Sequence, residues 1–362
     1  MITVSLCMIV KNEERILKRC LDSVADLVDE LIVVDTGSDD ATKKIAAEYG
    51  AAVYDFAWVN DFSAARNFAF SKATKDYVYS ADADEMLDEE NRIRFRRLKE
   101  TLLPEIEIVQ MKYKNQMKFD TVYNFDEEYR PKLFKRQREF VWEAPIHETV
   151  RLTPLIYDSD IAIDHLPEGS HAGRDLEIFY RHCREGYRLP KRLHNMYARE
   201  LLMAGEQRDL ANAEAIFEVS AADGGRDSEE IAEACCVIAR AARLSGNTVK
   251  FFKYTSKVLA AEANSEICYE LGCFYEAAED YEEAAIWYYN AVYETQPILN
   301  IRAGGRDALE GLIRCYEELA LPQQAAVYRE ELSKRNGEGK AEDGNIKDSN
   351  IKDSKAAGRR VW

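Results

Sequence analysis

The first hundred residues alternate between two hydrophobic patterns, and that alternation restricts the fold more than any other feature of the chain. Residues 2–10 are a short apolar run rich in β-branched side chains, broken by the polar Lys11-Asn12-Glu13. Ile16, Leu17, Cys20, Leu21 and Val24 then recur at helical spacing. Glu13 and Glu14 are expected in that helix's first turn, where the backbone dipole favours acids. Residues 31–34 read as a second buried strand, ending at Asp35. Thr36-Gly37-Ser38-Asp39-Asp40 can cap a helix whose apolar face is Ala41, Ile45, Ala46 and Tyr49, stopped by Gly50 at a position that needs positive φ. Residues 51–56, 62–73 and 77–81 continue as strand, helix and strand. Such alternation predicts βαβ units and a mainly parallel, Rossmann-like α/β sheet. In these sheets ligands bind beyond the carboxyl ends of the strands. Here those ends are Lys11-Asn12-Glu13, Asp35-Thr36-Gly37 and Asp82-Ala83-Asp84; all are polar and two are acidic.

Downstream the pattern changes. Residues 106–113, 121–124, 132–135 and 161–164 look like short strands, an antiparallel extension of the sheet. Beyond Gly173 strand signals vanish and the chain reads as helix pairs. Leu271-Gly272, Tyr275, Ala284, Tyr288, Ala291 and Pro297 match the tetratricopeptide pattern, and Leu312, Tyr316, Ala325 and Leu332 form a second copy. The offset between copies exceeds the usual 34 residues or so, which calls for an insertion around Ala303-Gly304-Gly305. Weaker units fall at 197–222 and 231–260. The expected domains are therefore 1–172 (α/β), 173–335 (all-α, tetratricopeptide-like) and a disordered tail, 336–362, rich in Gly, Lys, Asp and Ser.

A length of 362 residues suits two domains, and 46% apolar residues suffice for real cores. The net charge of −17 argues against a duplex nucleic-acid binder. No apolar run approaches a membrane span, and the N-terminus lacks the pattern of a signal peptide. Eight cysteines without a C-x-x-C pair fit neither a disulfide framework nor a cysteine zinc site. A soluble cytoplasmic protein is expected.

Asp82-Ala83-Asp84-Glu85 carries the strongest chemical signal. Carboxylates crowded at one strand end repel, and an all-oxygen set suits Mg2+ or Mn2+, the hard ions that bridge phosphates. The bland alternative is a solvated loop before a helix. Asn60-Asp61-Phe62-Ser63-Ala64-Ala65-Arg66-Asn67 comes second: Asp61 can cap a helix that turns the Arg66 guanidinium toward Asp82 or a ligand phosphate.

These motifs in this order, from Lys11-Asn12-Glu13 through Asp35-Thr36-Gly37-Ser38 and Asp61-Phe62-Ser63-x-x-Arg66-Asn67 to Asp82-x-Asp84, resemble family 2 glycosyltransferases of the GT-A fold. The likeness extends to the subgroup fused to tetratricopeptide-like helices, which includes sublancin-type peptide S-glycosyltransferases. The resemblance implies a metal-dependent, inverting transfer of a hexose from a nucleotide sugar, UDP-linked by preference, to a peptide Cys or Ser side chain or a saccharide. It implies that Val10, Asn12 and Glu13 border the base, that Asp35 contacts the nucleoside, that Asp61 and Ala83 belong to the donor site, and that Arg66 anchors its nucleotide side. Asp82 would bind the ribose, and Asp84 and His165 would hold Mn2+ or Mg2+. Many relatives carry Asp-Asp where this chain has Asp35-Thr36. His147 and Glu148 are the candidate general bases: either Glu148 takes the acceptor proton, or His147 takes it while Glu148 orients the ring. Trp142 could stack on a sugar. His171, His182 and His194 look structural. The aromatic helices suit core packing, with a concave face open to a peptide or a second copy of the chain. The competing function is a tetratricopeptide scaffold that binds nucleotide sugars without turning them over. A nucleotidyltransferase is disfavoured, because Lys11-Asn12-Glu13-Glu14 is no Gly-rich phosphate loop.

Overall fold

The computed structural model describes residues 1–114, 128–150, 155–167 and 172–341. It divides into two compact units, Met1–Val237 and the chain from Ile238 onward.

The first unit is built on strands β1 (Val4–Val10), β2 (Glu30–Asp35), β3 (Ala52–Asp55), β4 (Tyr77–Ser80), β5 (Glu85–Met86), β6 (Ile108–Lys114), β7 (Glu128–Lys135) and β10 (Ile156–His165). A separate ribbon pairs β8 (Trp142–Glu143) with β9 (Thr149–Val150). The eight strands lie in the order β3-β2-β1-β4-β7-β6-β10-β5. β1 to β4 pair in parallel, as the alternating pattern requires. Helices α1 (Leu17–Val24), α2 (Thr42–Glu48) and α4 (Glu89–Thr101) cover one face, packing Leu17, Leu21, Ala46, Phe95 and Leu98 on Leu6, Met8 and Val33. Helix α3 (Phe62–Lys72) covers the other, where Ala69 meets Cys7, Ile32, Val34 and Val78. Strands buried on both faces account for the continuous apolar runs in the sequence.

Three expectations need correction. Glu13 and Glu14 lie before α1, not in its first turn: Asn12 takes φ +56° and turns the chain, and the Glu13 carbonyl accepts the amides of Ile16 and Leu17. The extension is not wholly antiparallel. β7 opposes β4 and β6, but β10 runs parallel to β6 and begins earlier than expected, at Ile156. The proposed strand at 121–124 lies outside the described residues. Finally, α5 (Ala172–Arg184), α6 (Lys191–Ala204) and α7 (Gln207–Ala222) belong to the first unit, not to a domain starting at 173. Side-chain contacts hold them there: His182 Nε2 meets the Asn60 carbonyl at 2.8 Å, and the Arg174 guanidinium lies over the Phe62 ring at 4.9 Å.

The unit boundary falls within α8 (Ser228–Leu244). The second unit contains α9 (Thr248–Leu259), α10 (Ser265–Ala277), α11 (Tyr281–Tyr289), α12 (Arg306–Glu318) and α13 (Pro322–Ala341). Gly272 and Gly311 close on the two sides of the Tyr288 ring; a Cβ on either would sit 2.6 Å from it. The inserted loop before α12 is held by Glu266, which accepts the amides of Leu299 and Asn300, each at 2.7 Å. α13 extends past the expected boundary at 335, and residues 342–362, with the rest of the expected tail, lie outside the described residues. Among the described residues no helix is long and apolar enough to cross a membrane.

Candidate active site

The parallel strands deliver their carboxyl ends to one edge. Asp35 ends β2 almost fully buried; its Oδ1 accepts the amides of Gly37 at 3.0 Å and Ser38 at 2.9 Å, while Oδ2 is buried without a partner. Val10, buried at the end of β1, lies in register with Asp35. Asn12 accepts the Asp39 amide at 2.9 Å, which locks the loop after β1 to the loop after β2. A cavity of about 500 Å³ opens beside these loops, lined by Lys11, Asn12, Glu13, Arg15, Asp84 and Arg174 among others. Burial, with Asp84 adding to it against the opposing Arg174, pushes Glu13 up to about 7.

The chain after β4 carries the acidic cluster. Ala83 is buried between Asp82 and Asp84 and brings no polar side chain. Asp84 reaches His165 at the end of β10, Oδ2 to Nε2 at 3.1 Å, because His165 pairs in register with Glu85 across the β5–β10 ladder. The other oxygen, Asp84 Oδ1, is buried without a hydrogen-bond partner. Glu85 is buried against the Lys132 ammonium. Burial pushes it up to about 7, with Asp82 and Asp84 reinforcing and Lys132 opposing. Lys132 stands 3.9 Å from Asp82 as well. Among the described residues no group of three or more His, Cys, Asp or Glu side chains is arranged to hold a metal ion alone. Asp84 and His165 fit a metal only as a pair completed by ligand oxygens; the orphaned Oδ1 and the hard oxygen–imidazole donor set suit a divalent cation.

Arg66 joins this edge to the 142–150 ribbon. Asp61 caps α3 by accepting the Ala64 amide at 3.0 Å, and Arg66, just over one turn on, bonds Asp82 at 3.0 Å, Ser80 Oγ at 3.1 Å, and Glu148. Burial would raise Asp82, but Arg66 and Lys132 hold it well below the usual carboxylate range. Asn67 locks the ribbon from the same helix, bonding the Trp142 amide and carbonyl. Trp142 is not free to stack on a sugar: it is buried among Phe70 and Phe134, with the Arg66 guanidinium 5.2 Å over its ring.

With this geometry in view, residues 5–150 match the model of the family described as glycosyl transferase family 2. The chain carries a family 2 glycosyltransferase domain. Its sheet is the mainly parallel GT-A arrangement, followed by the expected helical region. A TPR repeat-containing protein of Synechococcus elongatus is 58% identical over 87 residues, 24% of this chain and 22% of that one. The SPbeta prophage-derived glycosyltransferase SunS of Bacillus subtilis is 35% identical over 102 residues, 28% of this chain and 24% of that one. The matched stretch spans less than a quarter of the length of either curated relative. Among solved structures, a glucosyl-3-phosphoglycerate synthase of Mycobacterium tuberculosis, in complex with Mn2+, UDP and phosphoglyceric acid, has a TM-score of 0.39 at 17% identity. It covers 52% of this chain and 80% of that one, and the likeness is too distant to bear on the site.

The glycosyltransferase domain thus gathers Asp82, Asp84, Arg66, Glu148 and His165 along one edge. Glu148 does not orient His147, contrary to one sequence alternative. It is bound to Arg66, while His147 sits at φ +47° and its Nε2 meets Glu200 of α6 at 2.8 Å. His182 and His194 have structural partners, the Asn60 carbonyl and buried Glu233; His171 lies outside the described residues. Sequence reasoning missed Glu200 and Arg174. Glu200 had a signal: it shares the apolar face of α6 with Leu193, Tyr197 and Leu201, where an acid is out of place.

Proposed function

We propose that this protein transfers a hexose from a nucleotide sugar, with a uridine diphosphate as leaving group, to a peptide Cys or Ser side chain or a saccharide hydroxyl, with inversion. The observation that carries the proposal is the Asp84–His165 contact at the strand ends, with Asp84 Oδ1 buried and unpartnered beside a cavity large enough for a nucleotide. Asp84 and His165 are the residues that would hold Mn2+ or Mg2+, which when bound neutralises charge developing on the departing diphosphate. Val10, Asn12, Glu13 and Asp35 would border the nucleoside, Asp35 through its unpartnered Oδ2. Asp82, held ionised by Arg66 and Lys132, is a ready acceptor for ribose hydroxyls. Arg66 keeps Asp82 and Glu148 at a fixed spacing, so the donor side and the acceptor side of the site move as one piece. As the acceptor attacks the anomeric carbon, the bond to the diphosphate oxygen breaks, its electron pair leaves with the diphosphate, and the acceptor proton passes to the 147–148 segment.

The test is a hydrolysis screen of nucleotide sugars with Mn2+ or Mg2+, reading released nucleoside diphosphate. Turnover of at least one donor is expected. Binding of a donor without any release would favour the non-catalytic scaffold instead.

A further inference from the structure

His147 is clamped from outside the strands that build the site. Its ring Nε2 meets Glu200 Oε1 at 2.8 Å, and its carbonyl accepts from Arg192 at 2.5 Å; both partners belong to α6, beyond the residues that match the family model. The Glu200 side chain is only 4% exposed, and its second oxygen, Oε2, is buried without a partner. The Phe179 ring lies 5.9 Å from the imidazole. The backbone of His147 sits at φ +47°, a conformation that a non-glycine residue holds only where its surroundings enforce it. The neighbouring Glu148 is already engaged, its carboxylate held in an ion pair by Arg66.

We propose that Glu200 is a positioning residue: its carboxylate takes the Nε2–H of His147, leaving Nδ1 as the nitrogen that accepts the acceptor proton. This rests on the sugar-transfer reading above. In the step, the acceptor X–H bond breaks as X bonds the anomeric carbon, the proton goes to Nδ1, and the imidazolium that forms is stabilised by Glu200 until it releases the proton to water. Burial raises the affinity of Glu200 for a proton, with His147 opposing, so the carboxylate gains from facing a positive ring. The same logic makes an oriented imidazole a far better base than a freely rotating one.

The full-length protein tests this in two ways. With the nucleotide sugar selected by the hydrolysis screen and water as acceptor, Glu200→Gln is expected to lower kcat by about 10²-fold or more while leaving the donor KM unchanged. In a His147→Gln background the same change should cost nothing further. Independently, the ¹⁵N spectrum of the His147 imidazole, assigned by its loss in His147→Gln and recorded at about pH 8.5, above the ordinary imidazole range, should show the proton on Nε2. A proton on Nδ1, or wild-type kcat in Glu200→Gln, overturns the role of Glu200 while sugar transfer stands. A wild-type protein that turns over no nucleotide sugar overturns the transfer reading itself. The tautomer measurement needs no Glu200 variant, so a Glu200→Gln protein that failed to fold would leave the test intact.

Discussion

Glu266, Glu270 and Glu276 in the helical unit, and Asp35, Asp84 and Glu85 at the sheet edge, are all acids withdrawn from water, and the two sets are treated differently. In the helices every one is answered: Glu270 by Arg243 at 2.6 Å, Glu276 by Arg314 and the Tyr288 hydroxyl, Glu266 by a row of backbone amides. At the sheet edge each acid keeps one buried oxygen without a partner: Asp35 Oδ2, Asp84 Oδ1 and Glu85 Oε2. Glu13 and Glu85 are pushed up to about 7 there, whereas Glu276 is lowered. Buried polar groups in folded proteins are almost always hydrogen-bonded, so a satisfied cluster is a device for holding shape and an unsatisfied one calls for a ligand. One chain uses the same residue type for both purposes, and the hydrogen bonds distinguish them.

The comparison breaks most violently at Arg66, a cation that the sheet edge uses as the helices use Arg314. Arg66→Ala strips Glu148 of its ion-pair partner and leaves Asp82 with Lys132 alone, 3.9 Å away. Removing one side of a buried ion pair costs roughly 3–5 kcal/mol, so chemical denaturation should show a loss of that order, with turnover abolished. A fully stable Arg66→Ala protein would mean that the edge tolerates bare charge.

Asp84→Asn should do the reverse to stability. It removes one member of a repelling acidic cluster, so the melting temperature is expected to hold or rise while turnover drops by about 10³-fold, several kcal/mol of transition-state stabilisation. Excess EDTA should reproduce the loss in the wild-type protein. Full activity in EDTA would end the metal assignment.

A third change addresses the helical unit alone. Gly272→Ala or Gly311→Ala pushes a methyl into the Tyr288 ring from either side, and overpacking of this kind costs about 1–3 kcal/mol. Turnover per folded molecule is expected to stay unchanged, because neither glycine nor Tyr288 takes any part in the site. Calorimetry alongside the donor-hydrolysis assay separates the two effects.

What could be read in the sequence follows the range of the forces involved. The strand ends at Asp35 and Asp82, the capping Asp61 and the positive-φ Gly50 are local features, and local patterns encode them. The tetratricopeptide pair was legible because Gly272, Ala284 and Tyr288 are small and large residues at fixed offsets. Pairings that close over long loops were not: the parallel partnership of β10 with β6 and the Arg66–Glu148 contact each join segments far apart in the chain. Glu200 was overlooked for a further reason: despite its place on the apolar face of α6, it lies in a helix assigned to another domain. The motif carried Arg66 to the site but could not say that it would occupy Glu148.

The smallest expected effect tests the satisfied side of the comparison by pH. Burial acts to raise Glu276, but the hydrogen bonds from Arg314 and the Tyr288 hydroxyl outweigh it and leave its folded-state pKa lowered. A group whose folded pKa lies below its unfolded value contributes stability above the unfolded pKa, about 4.3 for Glu. That contribution fades as pH falls from there through the folded pKa. Partial exposure and solvent screening keep it near 1 kcal/mol or less. Denaturation midpoints of wild type and Glu276→Gln should therefore differ most at neutral pH and converge in acid, below about pH 4. The sign is what matters. If the variant lost more stability in acid than at neutral pH, the Glu276–Arg314–Tyr288 cluster would be favouring the protonated carboxyl. The helical unit would then be storing charge strain of the kind found at the sheet edge.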